Sequence, residues 1–217
     1  MNNLEYAMPA PAAFWNDIAE KYAARPVADP EAFDRKIALT QSKMRPNDVV
    51  LEIGCGTGSL AMRLAPHAAQ YHGLDISREM IRIARDKAVK KNVDNVSFHV
   101  GPFDQTFDQF EPGSLNGICA YSILHLLEDR QDALQRIYAL LEPGGFFISS
   151  TVCLGNTWVP FAPIITVMRW LGKAPPVASF DTDTLVDDIR SAGFVDIQQP
   201  DVGAKKVVSF LVATKPA

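Results

Sequence analysis

Several protein classes are excluded by what this chain lacks. It has three cysteines in 217 residues, Cys55, Cys119 and Cys153. No two have C-x-x-C spacing, which excludes a zinc knuckle or thioredoxin-type pair and fits a reducing, cytoplasmic setting. No basic run exceeds Lys90-Lys91 or Lys205-Lys206, and the formal net charge is −4. Neither a polybasic membrane anchor nor a nucleic-acid-binding face is expected from that balance. The opening MNNLEYAMPAPAAF has no basic segment followed by an apolar one, so no signal peptide is read there. The longest apolar stretch, Trp158–Leu171, contains Pro160, Pro163 and Arg169 and is too short to span a bilayer. No stable membrane insertion is expected.

What is present is the composition of a soluble globular protein, 47% apolar and 21% charged. The length suits one domain over 1–217 with a substantial core. Pro- and Ala-rich residues 1–13 read as a loose arm, with regular structure expected from Phe14. Asp29-Pro30-Glu31 reads as a helix start, with aspartate as N-cap and proline at N1, and the helix runs to about Met44, before Pro46. From Val49 short apolar runs rich in β-formers (Val49–Ile53, Gln70–Leu74, Val96–Val100, Gly117–Tyr121, Phe146–Thr151) alternate with helical patterns (Leu60–Ala65, Arg78–Lys90, Asp129–Leu141). That alternation predicts right-handed βαβ units and a parallel sheet covered on both faces. Asp181 caps a helix over Leu185–Ala192 that Gly193 ends. Val195–Gln199 and Val207–Thr214 then read as a hairpin, which places one antiparallel strand at the sheet edge. The segment 153–180 is too long and too apolar for a simple connection, and a short helix over Ile164–Leu171 is expected in it.

On this map Gly54-Cys55-Gly56-Thr57-Gly58 forms the turn from the first strand into the first helix. In an open α/β sheet, ligands sit outside the carboxyl ends of the strands beside such a turn. Asp75, in HGLDIS, ends the second strand 21 positions after Gly54. A carboxylate there can accept hydrogen bonds from both hydroxyls of a ribose. The spacing is G-x-G-x-G, not the G-x-G-x-x-G of dinucleotide folds, and Glu52 lies just upstream. A carboxylate at that point repels a diphosphate and favours a cation. The absence of G-K-[ST] excludes a P-loop. S-adenosylmethionine, with its sulfonium and α-ammonium groups, is a nucleoside of the required charge.

The ExGxGxG motif, the acid of HGLDIS and the run LLEPGGFFISST together resemble the class I S-adenosylmethionine-dependent methyltransferases from about Phe14 onward. The resemblance implies an α/β, Rossmann-like three-layer sandwich with a seven-stranded, mostly parallel sheet whose last strand is antiparallel. It further implies that Gly54, Gly56 and Gly58 pass under the methionine part, with Cys55 among the cofactor-binding residues, and that Glu52 orders the loop and its waters. By the same resemblance, Asp75 grips the ribose, and Ile76 and Met80 pack against adenine. Where relatives carry Gly-Asp-Ala after the third strand, this chain has Gly101-Pro102-Phe103-Asp104, so the Phe103 N–H and the Asp104 carboxyl are the candidates for adenine. Asn116 stands where an acid usually opens the fourth strand.

Methyl transfer from a sulfonium needs alignment and exclusion of water, and a base only for an acceptor that is protonated at working pH. His125 is the candidate base and Tyr121 a candidate wall of the pocket. No metal site is read. The lack of Asn-Pro-Pro-Tyr and the acidic balance argue against DNA or RNA as acceptor, leaving a small, partly apolar molecule with O- or C-methylation as the expectation. The alternatives are an NAD-dependent oxidoreductase on a related fold, or a cofactor-binding protein without chemistry. Residues 14–45 serve as an N-terminal helical cover and 153–180 as an insertion over the substrate. Deleting Trp158–Leu171 is expected to abolish turnover while leaving cofactor affinity intact. Calorimetry with S-adenosylhomocysteine alongside an activity assay checks this, and loss of both together contradicts it.

Overall fold

A computed structural model describes residues 10–156 and 177–217. Strands β1 (Val49–Ile53), β2 (Gln70–Asp75), β3 (Val96–Val100), β4 (Leu115–Tyr121), β5 (Leu141–Val152), β6 (Val195–Gln198) and β7 (Val208–Thr214) form one sheet. Its order is β3-β2-β1-β4-β5-β7-β6. The pairings among β1 to β5 are all parallel, and β7 runs antiparallel to both β5 and β6. The mostly parallel, seven-stranded Rossmann-like sheet expected from the sequence is therefore present. Chain progression reverses between β1 and β4, which opens a crevice at the carboxyl ends of those strands.

The antiparallel strand is not at the edge. β7 lies between β5 and β6, and β6 takes the edge. Hydropathy explains the difference. Phe210, Leu211, Val212 and Ala213 are all buried, so both faces of β7 are covered, whereas Val195 and Asp196 of β6 are exposed. A strand apolar on both faces belongs inside a sheet, and a short polar one suits the rim.

The helices are α1 (Ala10–Ala23), α2 (Pro30–Gln41), α3 (Ala61–Leu64), α4 (Arg78–Lys91), α5 (Arg130–Leu140) and α6 (Thr182–Ser191). Asp29, Ser77, Asp129 and Asp181 each cap a helix by accepting a backbone N–H with the side chain. α1 begins at Ala10, ahead of the expected Phe14, and Ala12 in that extra turn is buried, while further along Trp15 and Ala19 pack on Met80 and Ile83 of α4. The helix expected over Leu60–Ala65 is shortened to α3, followed by a 3₁₀ turn at Ala65–His67 that contains Pro66. The expected Ile164–Leu171 helix, and most of the insertion over 153–180, lie outside the described residues.

Strand alternation divides the core. Leu51, Ile53, Ile118 and Phe147 face α5 and α6, while Val50, Tyr71, Cys119 and Ile148 face the side carrying α2, α3 and α4. On the α5 side, beside β2 and β3, lies the β3–β4 connection. It lays Phe107 and Phe110 over His72 and His99, whose rings meet at 3.1 Å between Nδ1 and Nε2. At the end of the sheet away from the crevice, Asn116 accepts the Val49 N–H (2.6 Å) and donates to Glu142 (2.6 Å). The missing acid at that position has thus become a clamp joining β1, β4 and β5.

Gly117 tests the packing. A Cβ there would sit 2.0 Å from the ring of Phe146, itself buried. Gly117→Ala should cost about 1–3 kcal/mol of stability, measured as a lower urea midpoint. An unchanged midpoint would mean that this ring is not fixed against β4.

Candidate active site

The glycine loop leaves β1 with two amides already committed. The N–H groups of Gly54 and Cys55 both donate to the carbonyl of Leu74 in β2, at 2.8 and 3.0 Å. Gly54, Gly56 and Gly58 all have positive φ (70°, 51° and 71°), backbone that glycine adopts without steric cost. Their surroundings differ. A Cβ on Gly54 would strike Ile123 at 2.9 Å and one on Gly58 would strike Ala84 of α4 at 2.9 Å. A Cβ on Gly56 would meet only Tyr22, at 3.8 Å, so this glycine faces open space. Two of the three let the chain pack against itself, and the third lets something approach the backbone.

Asp75, at the carboxyl end of β2, organises that space. Its Oδ2 accepts the Gly56 N–H at 2.8 Å and its Oδ1 the Ser77 N–H at 2.9 Å. Burial raises its pKa, and these two amide bonds pull the other way. Ser77 then caps α4 and donates to Asn16 Oδ1 of α1 at 2.7 Å, while the Glu79 N–H donates to the same oxygen at 3.2 Å. Arg82 of α4 pairs with Glu20 of α1, completing the attachment of the N-terminal helix.

A cavity of about 540 Å³ opens at this point. Gly54, Gly56, Asp75, Ile76, Met80, Phe103, Asp104 and Tyr121, from three strand ends and the adjoining loops, all line it. So do Trp15 and Tyr22 of α1, whose separation of seven positions puts them on one helical face and was legible in the sequence. Sequence reasoning missed Ser122, in left-handed backbone (φ 57°), and the acidic group Glu128, Asp129 and Asp132. No Lys, Arg or His lines the cavity among the described residues. A second hollow of about 450 Å³, at the β6–β7 connection, contains none of the predicted site residues.

Four predicted site residues are not in the wall. Cys55 is buried beneath the loop and Gly58 packs on α4. Glu52 turns to the α2 side of the sheet, fully enclosed, where it accepts the Tyr71 hydroxyl at 3.1 Å. Burial pushes its pKa up to about 8, so at neutral pH it holds a proton and does not act as the free anion inferred from its place beside the loop. The negative charge facing the cavity comes from Asp75, Asp104, Glu128, Asp129 and Asp132. His125 is buried in the 3₁₀ turn Leu124–Leu126, and burial lowers its pKa to about 4, a poor match for a general base acting near neutrality. The Tyr121 hydroxyl is held by Thr40 Oγ1 at 2.7 Å, which commits it to α2. Asp104 folds into its own loop, accepting Thr106 N and Oγ1 at 2.8 and 2.6 Å. Among the described residues no cluster of three or more metal-ligating side chains occurs, and no helix is long and apolar enough to cross a membrane.

A doubly wound sheet with this crevice, glycine loop and strand-terminal acid defines a nucleoside-binding Rossmann-like domain. Residues 44–174 match the methyltransferase-domain family model. The chain belongs to that family, the class I methyltransferases, whose cofactor is S-adenosylmethionine. Among curated relatives it is 29% identical to the O-methyltransferase resE of Aspergillus sclerotiorum over 169 residues, 75% of this chain and 61% of that protein. It is 28% identical to the ubiquinone/menaquinone biosynthesis C-methyltransferase UbiE of Geotalea daltonii over 115 residues, 51% of this chain and 48% of that one. The chain thus spans about half to three fifths of the length of these relatives. The crystal structure of YcgJ from Bacillus subtilis superposes with a TM-score of 0.69 over 85% of this chain and 99% of that one, at 16% identity.

The enclosed Glu52 leads to a pH test. Its folded pKa lies above the unfolded value of 4.5, so the folded state keeps a proton that the unfolded state loses. The associated stability is complete below about pH 4.5 and falls away as pH rises to about 8. Glu52→Gln keeps an acceptor for Tyr71 without the titration, so its Tm relative to the parent should rise from pH 5 to pH 8.5. A constant difference would mean that Glu52 titrates as an ordinary carboxyl.

Proposed function

We propose that this chain transfers the methyl group of S-adenosylmethionine to a small, partly apolar acceptor at oxygen or carbon. One observation carries this reading. Asp75 ties the glycine loop to α4 across a cavity whose charged lining is wholly acidic and whose remaining walls are mostly aromatic and aliphatic. Such a cavity suits a cationic nucleoside, and it offers no basic side chain to a pyrophosphate or to the phosphates of NAD.

Two features support the fit of the cofactor. The backbone at Gly56 is open to close approach, and Asp75 has acceptor capacity beyond its two amides, since a carboxylate has about four lone-pair sites. The ribose hydroxyls are assigned to Asp75, the adenine to the walls made by Ile76, Met80 and Phe103, and the methionine end to the Gly54–Gly58 loop. When bound, the cofactor supplies an electrophilic methyl carbon on a sulfonium. The protein's part is to hold the acceptor in line and keep water out, which Trp15, Tyr22 and Tyr121 do as walls. His125 is off the wall and the Tyr121 hydroxyl is engaged, so the bases on the described wall are its carboxylates, Asp75, Asp104, Glu128, Asp129 and Asp132. Relatives named as O- and C-methyltransferases point to oxygen or carbon, and three buried, unpaired cysteines fit a cytoplasmic location.

Calorimetry separates this reading from the oxidoreductase one. The chain should bind S-adenosylhomocysteine and not NADH, and Asp75→Ala should weaken that binding by about 1.5–3 kcal/mol, the worth of a charge-assisted hydrogen bond. Tight NADH binding, or an unaffected Asp75→Ala variant, would overturn it.

A further inference from the structure

α1 lies outside the sheet core, and one of its contacts leads to Asp75. Its apolar seat is small: Trp15, Ala19 and Ala23 meet Met80 and Ile83 of α4 in a cluster separate from the two that pack on the sheet. The Arg82–Glu20 pair has side chains 48% and 75% exposed, and ion pairs so open to water contribute little. Asn16 supplies the directional contact. Its Oδ1 accepts the Ser77 hydroxyl at 2.7 Å and the Glu79 N–H at 3.2 Å.

Both donors belong to the first turn of α4, where the leading N–H groups have no partner within the helix. Ser77 Oγ accepts the Met80 N–H at 3.1 Å, and a side chain from a different helix, Asn16, accepts the Glu79 one. Ser77 is also the residue whose N–H holds Asp75 Oδ1. A continuous run of hydrogen bonds thus leads from Asp75 through Ser77 to Asn16, and each bond in such a run polarises the next. At its far end α1 brings Trp15 and Tyr22 to the cavity wall, with Tyr22 the group nearest the open side of Gly56. Asn16 itself stands off the wall and acts through Ser77.

We infer that Asn16 is a positioning residue that couples the seating of α1 to occupation of Asp75, so that the cofactor and the helix over it bind cooperatively. The coupling rests on the methyltransferase reading of the cavity and adds to it the link between ribose and cover. A hydroxyl on Asp75 fixes the carboxylate that holds Ser77, Ser77 holds Asn16, and a seated α1 closes Tyr22 over the glycine loop. The effect is reciprocal: whatever factor α1 adds to cofactor affinity, the cofactor adds to the seating of α1.

Amide hydrogen exchange across Ala10–Ala23 of the full chain, with and without saturating S-adenosylhomocysteine, reads that factor as the slowing caused by ligand. In the parent, ligand should slow exchange by about fivefold or more, within the usual range of such couplings. In Asn16→Ala the slowing should fall below about twofold at saturation, and calorimetry should show S-adenosylhomocysteine weakened by the factor lost. A residue that merely steadies α1 would raise exchange equally with and without ligand and leave the ratio unchanged. Asn16→Asp keeps the acceptor oxygen at a helix start that favours a carboxylate, so it should restore both readings to within about twofold of the parent. An unchanged ratio in Asn16→Ala, no rescue by Asn16→Asp, or a parent that binds S-adenosylhomocysteine without slowing α1 would overturn the coupling and leave the cofactor reading intact. A parent that binds no S-adenosylhomocysteine would overturn the cofactor reading itself.

Discussion

The site depends on one carboxylate with two amides. Asp75 accepts from Gly56 in the loop after β1 and from Ser77 at the start of α4, so a single side chain fixes the loop, the end of β2 and the first turn of a helix together. Each of these bonds is charge-assisted and partly withdrawn from water, which makes them the stronger kind. The attachment spreads outward, because Ser77 also holds Asn16 and thereby α1, the helix that contributes Trp15 and Tyr22 to the cavity wall. The residue assigned to the ribose therefore also shapes the pocket that receives it. A ligand hydroxyl arriving at Asp75 meets a carboxylate already held in place, and little ordering is left for binding to supply.

Charge selection follows from topology more than from the motif. The glutamate of the ExGxGxG run is turned away by strand alternation: Ile53 lines the cavity, so Glu52, one position earlier on β1, points to the other face, under Tyr71. With its pKa near 8 it contributes little negative potential at neutral pH. Field inside the cavity comes instead from carboxylates on the loops, above all those at the start of α5. Asp129 serves there both as helix cap and as part of the wall. The negative charge at the cavity therefore lies on its rim, on loop carboxylates and the start of α5, and not on β1.

Regular elements were legible in the sequence because their causes are local. Asp29-Pro30, Ser77, Asp129 and Asp181 announce helix starts, and Val49–Ile53 and Val96–Val100 match the strands to the residue. The glycine loop and Asp75 were legible because positive φ and a strand-terminal acid leave marks in residue type. What depended on pairing partners was not. The place of β7 needed the neighbour that β5 supplies, although its buried four-residue apolar run carried the hint. The fate of the Tyr121 hydroxyl needed Thr40, 81 positions away, and the enclosure of His125 needed Ala178 laid across its turn. Which glycine faces a ligand and which face helices is likewise set by Ile123, Ala84 and Tyr22, all brought in by the fold.

Neither His125 nor the Tyr121 hydroxyl is available to the cavity, which leaves carboxylates as the proton acceptors on its described wall. α2 fixes the outer side of the β4 and β5 ends, with Thr40 on Tyr121 and Lys36 on Ser150 at 2.8 Å, so the polar groups there are engaged with one another. On the opposite face the hydroxyls of β5 and β7 are unpaired and neutral. A site built this way gains rate from alignment and dryness, contributions that can reach about 7–11 kcal/mol when reacting atoms are well placed.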